Sequence, residues 1–202
     1  MNYPPPKGDG FSAPTKYKKS SLKTAVYVYY MVVLGLDAST STVGWAFNKD
    51  GIIIDAGFID IKKYVSNKEK SFAVIKKLES LQCTKEIDII NLEAALSGFA
   101  GGFTRQQTVI TLIRFNAIFD YILSEHFKLP INLLSVNTLR KNVFGKCRIS
   151  GIKSKEFVKM QLEEKYPDVK NFLILNTKGK LDIRNCDMYD AMICALYQPT
   201  KK

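Results

Sequence analysis

The stretch Val32-Val33-Leu34-Gly35-Leu36-Asp37-Ala38-Ser39-Thr40-Ser41-Thr42-Val43-Gly44-Trp45-Ala46 decides the fold. Its first five residues are β-branched or aliphatic around one glycine and stop at Asp37, the pattern of a buried strand. Two more strand patterns follow, Val43 to Asn48 and Ile52 to Ile61, with Lys49, Asp50 and Gly51 between them. Asp-Gly between two such runs is a strong hairpin signal, so strands one to three are expected to form an antiparallel meander.

Downstream, Ser66 to Leu81 places Phe72, Ile75, Leu78 and Leu81 at three- and four-residue spacing, which predicts an amphipathic crossover helix with those four residues on its apolar face. Ile87 to Leu92 is a short apolar strand ending at Glu93. After it comes a glycine-rich loop, Ser97 to Phe103, holding Phe99 and Phe103. Thr104 to Phe127 is the longest helical pattern, and Ile131 to Val136 reads as a fifth strand. Ser154 to Lys165 predicts a helix opened by a capping-box-like Ser154 with Phe157 and Leu162 inward, and Asp187 to Tyr197 a last helix. The order βββαβαβαα describes an α/β domain, a mixed five-stranded sheet flanked by helices. No internal repeat is present.

At 202 residues, 46% hydrophobic and 24% charged, the chain has the size and composition of one globular domain with a core. Thirty Lys and Arg against nineteen Asp and Glu give a formal charge of +11, a field that attracts polyanions and makes nucleic acid the first partner to consider. Residues 1–30 carry five lysines against Asp9 alone, with Pro4, Pro5, Pro6, Gly8 and Gly10, so a basic, disordered N-terminal extension is expected before a folded domain spanning 31–202. That extension lacks arginine, which argues against a mitochondrial transit peptide. Cys83, Cys147, Cys186 and Cys194 contain no CxxC pair and lie far from His126, the single histidine, so zinc-ligand spacing is absent and reduced structural thiols are expected. No apolar run approaches the roughly 18 residues of a membrane span, which predicts a soluble, intracellular chain.

The acids carry the chemistry. Asp37 closes strand one, Glu93 closes strand four, and Asp187 and Asp190 stand three apart at the start of the final helix, on one helical face. Asp37 alone reads as a turn residue, and the helix pair alone as charge complementing the macrodipole. Glu93, a lone acid ending an apolar strand before a glycine loop, has little structural reason to be there. Four convergent carboxylates would raise one another's pKa unless cations held them, and hard oxygen donors select Mg²⁺, with Mn²⁺ able to substitute. Two such ions generate a nucleophilic hydroxide and neutralise both oxygens of an in-line displacement at phosphorus, so a basic protein with this site is expected to be a nuclease.

Motif by motif, the sequence resembles the RuvC-type Holliday junction resolvases of the RNase H-like superfamily, including the versions carried by phages and large DNA viruses. Leu34 to Ala46 is similar to that family's first strand, turn and second strand, with Asp37 as its first metal ligand. Asn91-Leu92-Glu93 resembles the second, and Asp187-Met188-Tyr189-Asp190-Ala191 with Ala195 resembles the closing DxxDA segment that supplies the last two carboxylates. The stretch Val136 to Gly145 followed by Lys153-Ser154-Lys155 resembles the part that carries catalytic or DNA-contacting lysines. This implies Arg140 or Lys141, and Lys153 or Lys155, near the scissile phosphate. The resemblance covers residues 31 to 198 and implies a Mg²⁺-dependent endonuclease that resolves four-way DNA junctions by symmetric hydrolysis.

Two departures stand out. Leu173 to Arg184 forms a hairpin-like insert longer than expected of the bacterial enzymes. Where those enzymes carry an aromatic just after the second acid, Ala94, Ala95 and Leu96 follow Glu93, leaving Phe99 and Phe103 either to substitute as stacking groups or to pack on the core.

Cutting opposite strands of a nearly two-fold junction calls for two sites related by a dyad, hence a homodimer. Thr104 to Phe127 is the candidate interface, because Val109, Ile110, Leu112, Ile113, Phe115, Ile118, Phe119, Ile122 and Leu123 cover more than one face. Lys62, Lys63, Arg105, Arg140, Lys141, Lys146, Arg148, Lys153 and Lys155 are the expected phosphate contacts. The competing expectations are an RNase H-like nuclease acting on RNA–DNA hybrids or other branched DNA, and a non-catalytic junction-binding protein. Gly35 to Gly44 also resembles the first phosphate turn of the sugar kinase and actin group, but that group needs two such domains.

Overall fold

Residues 31–95 and 106–199 are described by a computed structural model. The expected disordered extension of residues 1–30, the loop aromatics Phe99 and Phe103, and Arg105 lie outside the described residues.

Strands β1 (Val32–Ala38), β2 (Thr42–Lys49) and β3 (Ile52–Asp60) form the expected antiparallel meander. Its hairpin turns at Asp50 and Gly51, both at positive φ (55° and 87°), the conformation for which Asp-Gly is selected. Strand β4 (Ile89–Glu93) runs parallel to β1, and β5 (Ile131–Leu134) runs parallel to β4. The order β3-β2-β1-β4-β5 makes a mixed five-stranded sheet, as the sequence predicts.

Period-two alternation along β1 separates two cores. Val32, Leu34 and Leu36 enter one apolar cluster with Val74, Ile75 and Leu78 of α1 (Asn67–Glu79) and Phe115, Phe119 and Leu123 of α2 (Gln106–Phe127). The opposite face of the sheet carries α5 (Asn185–Leu196), whose Met188, Ala191, Met192 and Ala195 share the second cluster with residues of α3 (Val136–Phe144) and α4 (Ser154–Lys165). Ser66 caps α1 in a full capping box with Glu69. Buried Asn116 of α2 donates to the carbonyl of Ala38 (3.1 Å), tying that helix to the end of β1.

Four local expectations are corrected. Phe72 is exposed, and Ser71, Val74, Ile75 and Leu78 form the buried face of α1: Ile75 and Leu78 of the predicted stripe are covered, and Phe72 lies at its uncovered edge. β5 ends at Leu134, and Val136 begins a helix, α3, where a strand end was expected. Ser135 is its N-cap, with the side chain accepting from Thr138 N, and Gly145 closes it at φ +75°. The N-cap of α4 is Lys153 without a side-chain cap, and Ser154 Oγ is instead a partner of Arg140 (2.8 Å). Helix α5 begins at Asn185, two residues before its first expected acid.

Candidate active site

The carboxylates are placed by the sheet before any long-range packing is considered. In the parallel pairing of β1 and β4, Leu36 lies opposite Leu92, so Asp37 and Glu93 follow next on adjacent strands and face the same side as Gly35 and Asn91. Across the antiparallel side Asp37 pairs with Gly44.

Two glycines then bring α5 down onto this face. A Cβ on Gly44 would lie 2.0 Å from the carbonyl oxygen of Asp187, and one on Gly35 2.2 Å from the carbonyl oxygen of Ala191 and the nitrogen of Ala195. Only glycine permits this approach, and it sets the first turns of α5, with Asp187 and Asp190, beside the ends of β1 and β4. Two buried asparagines fix the other end of the helix: Asn48 Nδ2 donates to Ala195 O (2.7 Å) and Asn91 Nδ2 to Cys194 O (2.8 Å). These bonds fall on carbonyls of the last turn, of which Cys194 O also accepts from the C-cap Tyr197 N (3.3 Å).

The resulting electrostatics are those of crowded acids. Burial first, and then the charges of Glu93, Asp190 and Asp187, hold Asp37 well above the usual carboxylate range, with Lys155 opposing. Burial and the charge of Asp190 push Glu93 up to about 8, against the pull of Arg140. Burial raises Asp190 to about 6 although Arg140 and Lys155 hold it down, and burial raises Asp187 against Lys155. Asp37, Glu93 and Asp190 thus each feel the charge of another of the four acids, and Asp187 acts on all three.

Two cations serve it. Lys155 Nζ, from the first turn of α4, lies 3.4 Å from Asp187 Oδ1, and Arg140 of α3 stands 3.8 Å from Asp190 Oδ1 while donating to Ser154 Oγ. That distance is too long for a hydrogen bond, and Asp190 Oδ1 and Arg140 Nε are buried without hydrogen-bond partners. Of the paired sequence alternatives, Arg140 and Lys155 are brought to the acids. Lys141 and Lys153 extend outward as exposed side chains.

Arg140 also lines a cavity of about 930 Å³ between α3 and α4, together with Asn137, Cys147, Arg148, Ser150 and Phe157. Lys146 stands at a smaller hollow beside Gln161 and Lys165, and Lys62 and Lys63 follow the end of β3. The helical setting of Arg140 was not read from the sequence, although Ser135, Gly145 and the i, i+4 pair Leu139 and Val143 carry the signal.

The donor set suits Mg²⁺ or Mn²⁺, since it consists of carboxylate oxygens that destabilise one another and includes one buried oxygen, Asp190 Oδ1, without a hydrogen-bond partner. Among the described residues, no three His, Cys, Asp or Glu side chains are already drawn together as a ready-made metal cage. Two of the acids are instead turned toward Lys155 and Arg140.

No protein-family model and no curated protein sequence matches the chain. Solved structures do. The chain is similar to Thermus thermophilus RuvC, with TM-score 0.54 and 12% identity over 82% of this chain and 92% of that one. It is similar to T. thermophilus RuvC in complex with Holliday junction substrate (TM-score 0.53, 11% identity, 82% and 90% covered). It is also similar to the yeast mitochondrial Holliday junction resolvase Ydc2 (TM-score 0.52, 14% identity, 82% and 76% covered). With its sheet order, its strand-end acids and the helix seated on glycines now placed, the chain has the fold of the RuvC-type, RNase H-like resolvases.

Proposed function

We propose that this protein is a metal-dependent, structure-specific DNA endonuclease that resolves four-way junctions. The observation that carries the reading is the cluster formed by Asp37 and Glu93 at the strand ends with Asp187 and Asp190 in the first turns of α5 above them. These are the residues that would hold two Mg²⁺, or Mn²⁺ in their place. Bound there, divalent ions supply charge neutralisation at the phosphodiester and acidify an attacking water.

The chain's own residues bind and orient. Lys155 remains largely exposed beyond Asp187, so its ammonium is free to turn toward the charge that develops on the phosphate. Its pKa is lowered by burial, but the charges of Asp187, Cys186 and Asp190 outweigh that and keep it protonated. Arg140 and Arg148, on the cavity between α3 and α4, receive backbone phosphates of the cut strand, with Lys141, Lys146 and Lys153 around them. Such contacts carry no sequence information, so selectivity rests on the shape of the junction.

Symmetric cutting requires a homodimer, and the outward face of α2 supports one: Ile113, Ile118 and Tyr121 are exposed there. The protein acts inside the cell, where its DNA replicates. Among the described residues no helix is long and apolar enough to cross a membrane.

A side-by-side cleavage assay on a four-way junction, a flap, an RNA–DNA hybrid and linear duplex tests the proposal. Mg²⁺ is expected to convert the junction into two nicked duplexes, and EDTA to stop it. Preferential cutting of the hybrid, or binding of the junction with no cutting in Mg²⁺, overturns it.

A further inference from the structure

The hairpin between Leu173 and Arg184 is more firmly built at its base than a loop requires. Buried Asn185 holds both backbone groups of Ile174, accepting from its nitrogen (3.1 Å) and donating to its carbonyl (2.8 Å). Arg184 pairs with Asp182 through two hydrogen bonds (2.9 and 2.6 Å), reaches Asp60 of β3 (2.9 Å), and lies over the Phe58 ring at 4.5 Å. The turn is equally ordered: Asn176 Oδ1 accepts from Lys178 N and Lys180 N, and Gly179 takes φ +70°.

The outer part is apolar and unsheltered. Leu175 and Leu181 face each other across a single bridge at 59% and 46% exposure, and Ile183 is 84% exposed. None of the three is needed for the core. Beside them stand Lys178 and Lys180, and the hairpin's one acid, Asp182, is buried and neutralised by Arg184. Three residues after Arg184 comes Asp187 of the acid cluster.

We propose that this hairpin is an apolar wedge for the branch point of the DNA, with Leu175, Leu181 and Ile183 against unstacked base faces and Lys178 and Lys180 on the flanking phosphates. This rests on the endonuclease reading and names the part of the substrate that the braced arm meets. An aliphatic side chain inserted at a base step separates the stack, and the cost is smallest where stacking is already interrupted, as it is at a branch. A basic tip with no free carboxylate favours DNA over a protein partner.

The test uses the full chain with a four-way junction carrying 2-aminopurine beside the branch, in EDTA so that no cutting occurs. Binding of the unaltered protein is expected to raise the fluorescence. The double variant Leu175→Ser with Leu181→Ser, and separately Ile183→Ser, should lose that rise and at least about fivefold in preference for junction over linear duplex, with unchanged melting temperature and duplex affinity. Ile183 is so exposed that its variant retains the fold even if the double variant does not. An unaltered protein that binds the junction without unstacking the probe overturns the wedge. Variants that match it on every DNA also overturn the wedge and assign the patch to a protein partner. In both cases nicking in Mg²⁺ shows whether the endonuclease reading stands. A protein that neither prefers nor cuts the junction removes both.

Discussion

The two faces of the sheet are built on opposite rules. Toward α1 and α2, β1 offers Val32, Leu34 and Leu36 to Phe115, Phe119 and Leu123, large side chains that hold helices by area. Toward α5 it offers Gly35 and Asp37, with Gly44 and Ala46 on the neighbouring strand, so the helix comes down over small residues and two buried asparagines, while its Met188 and Met192 pack in the second cluster with Leu139 and Phe157 of α3 and α4. One face is adhesive and the other is a positioning device. Acids brought this close destabilise one another, so the second face accepts a cost that the first offsets.

Substitutions on the two faces should therefore fail differently. Among substitutions that contrast the two faces, the largest effect is expected from Gly44→Ala, which puts a methyl group 2.0 Å from the backbone of Asp187 and forces α5 away from Asp37. Displacing a catalytic group by about 1 Å costs roughly a hundredfold in rate, so junction cleavage should fall by about that factor while the protein still melts cooperatively. Phe119→Ala on the other face empties a fully buried site. It should cost about 3–5 kcal/mol in denaturant unfolding, with cleavage per folded molecule at 20 °C within about threefold of the unaltered protein. If Gly44→Ala cuts normally, or Phe119→Ala loses activity while folded, the division between the faces is wrong.

A smaller effect concerns pH. Glu93, raised to about 8, and Asp190, raised to about 6, bind protons more tightly in the folded than in the unfolded chain. Their contribution to the stability of the metal-free protein is then fully present below the unfolded carboxylate range and is lost as pH rises from about 4 through 8, opposite in sign to that of Asp182, which Arg184 holds down at about 2. Mg²⁺ should flatten that loss, because it favours the ionised form that the folded site resists. Thermal melts in EDTA and in Mg²⁺ across this range measure it, and Glu93→Gln should remove the upper part of the slope.

Much of this was legible in the sequence because it is local. Alternating or continuous apolar runs, Asp50-Gly51 and the acids at strand ends are read within a few residues of themselves, and they yield the sheet, the meander and the four carboxylates in order. Gly35 and Gly44 carry a different message. In the sequence they are merely glycines in strands, and their purpose is visible only when the carbonyls of Ala191 and Asp187 lie above them. Phe72 was misjudged because helical periodicity defines a stripe but not which edge of it the sheet covers. Helix α3 was hidden by its short length and by basic residues, although both of its caps stand in plain view at Ser135 and Gly145. The choice of Lys155 over Lys153, and of Arg140 over Lys141, depends on the phase of helices against a distant acid pair, and spacing alone leaves it open.

The central claim is that the acid cluster performs the cutting while the basic surface performs the binding. Asp37→Asn separates the two most directly, measured as Mg²⁺-dependent nicking and as gel-shift affinity for the same four-way junction. Cleavage should fall by at least about a thousandfold, the order expected when charge stabilisation at the phosphate is removed, with affinity unchanged. Continued nicking by the Asp37→Asn protein, or loss of junction binding together with cleavage, would contradict it.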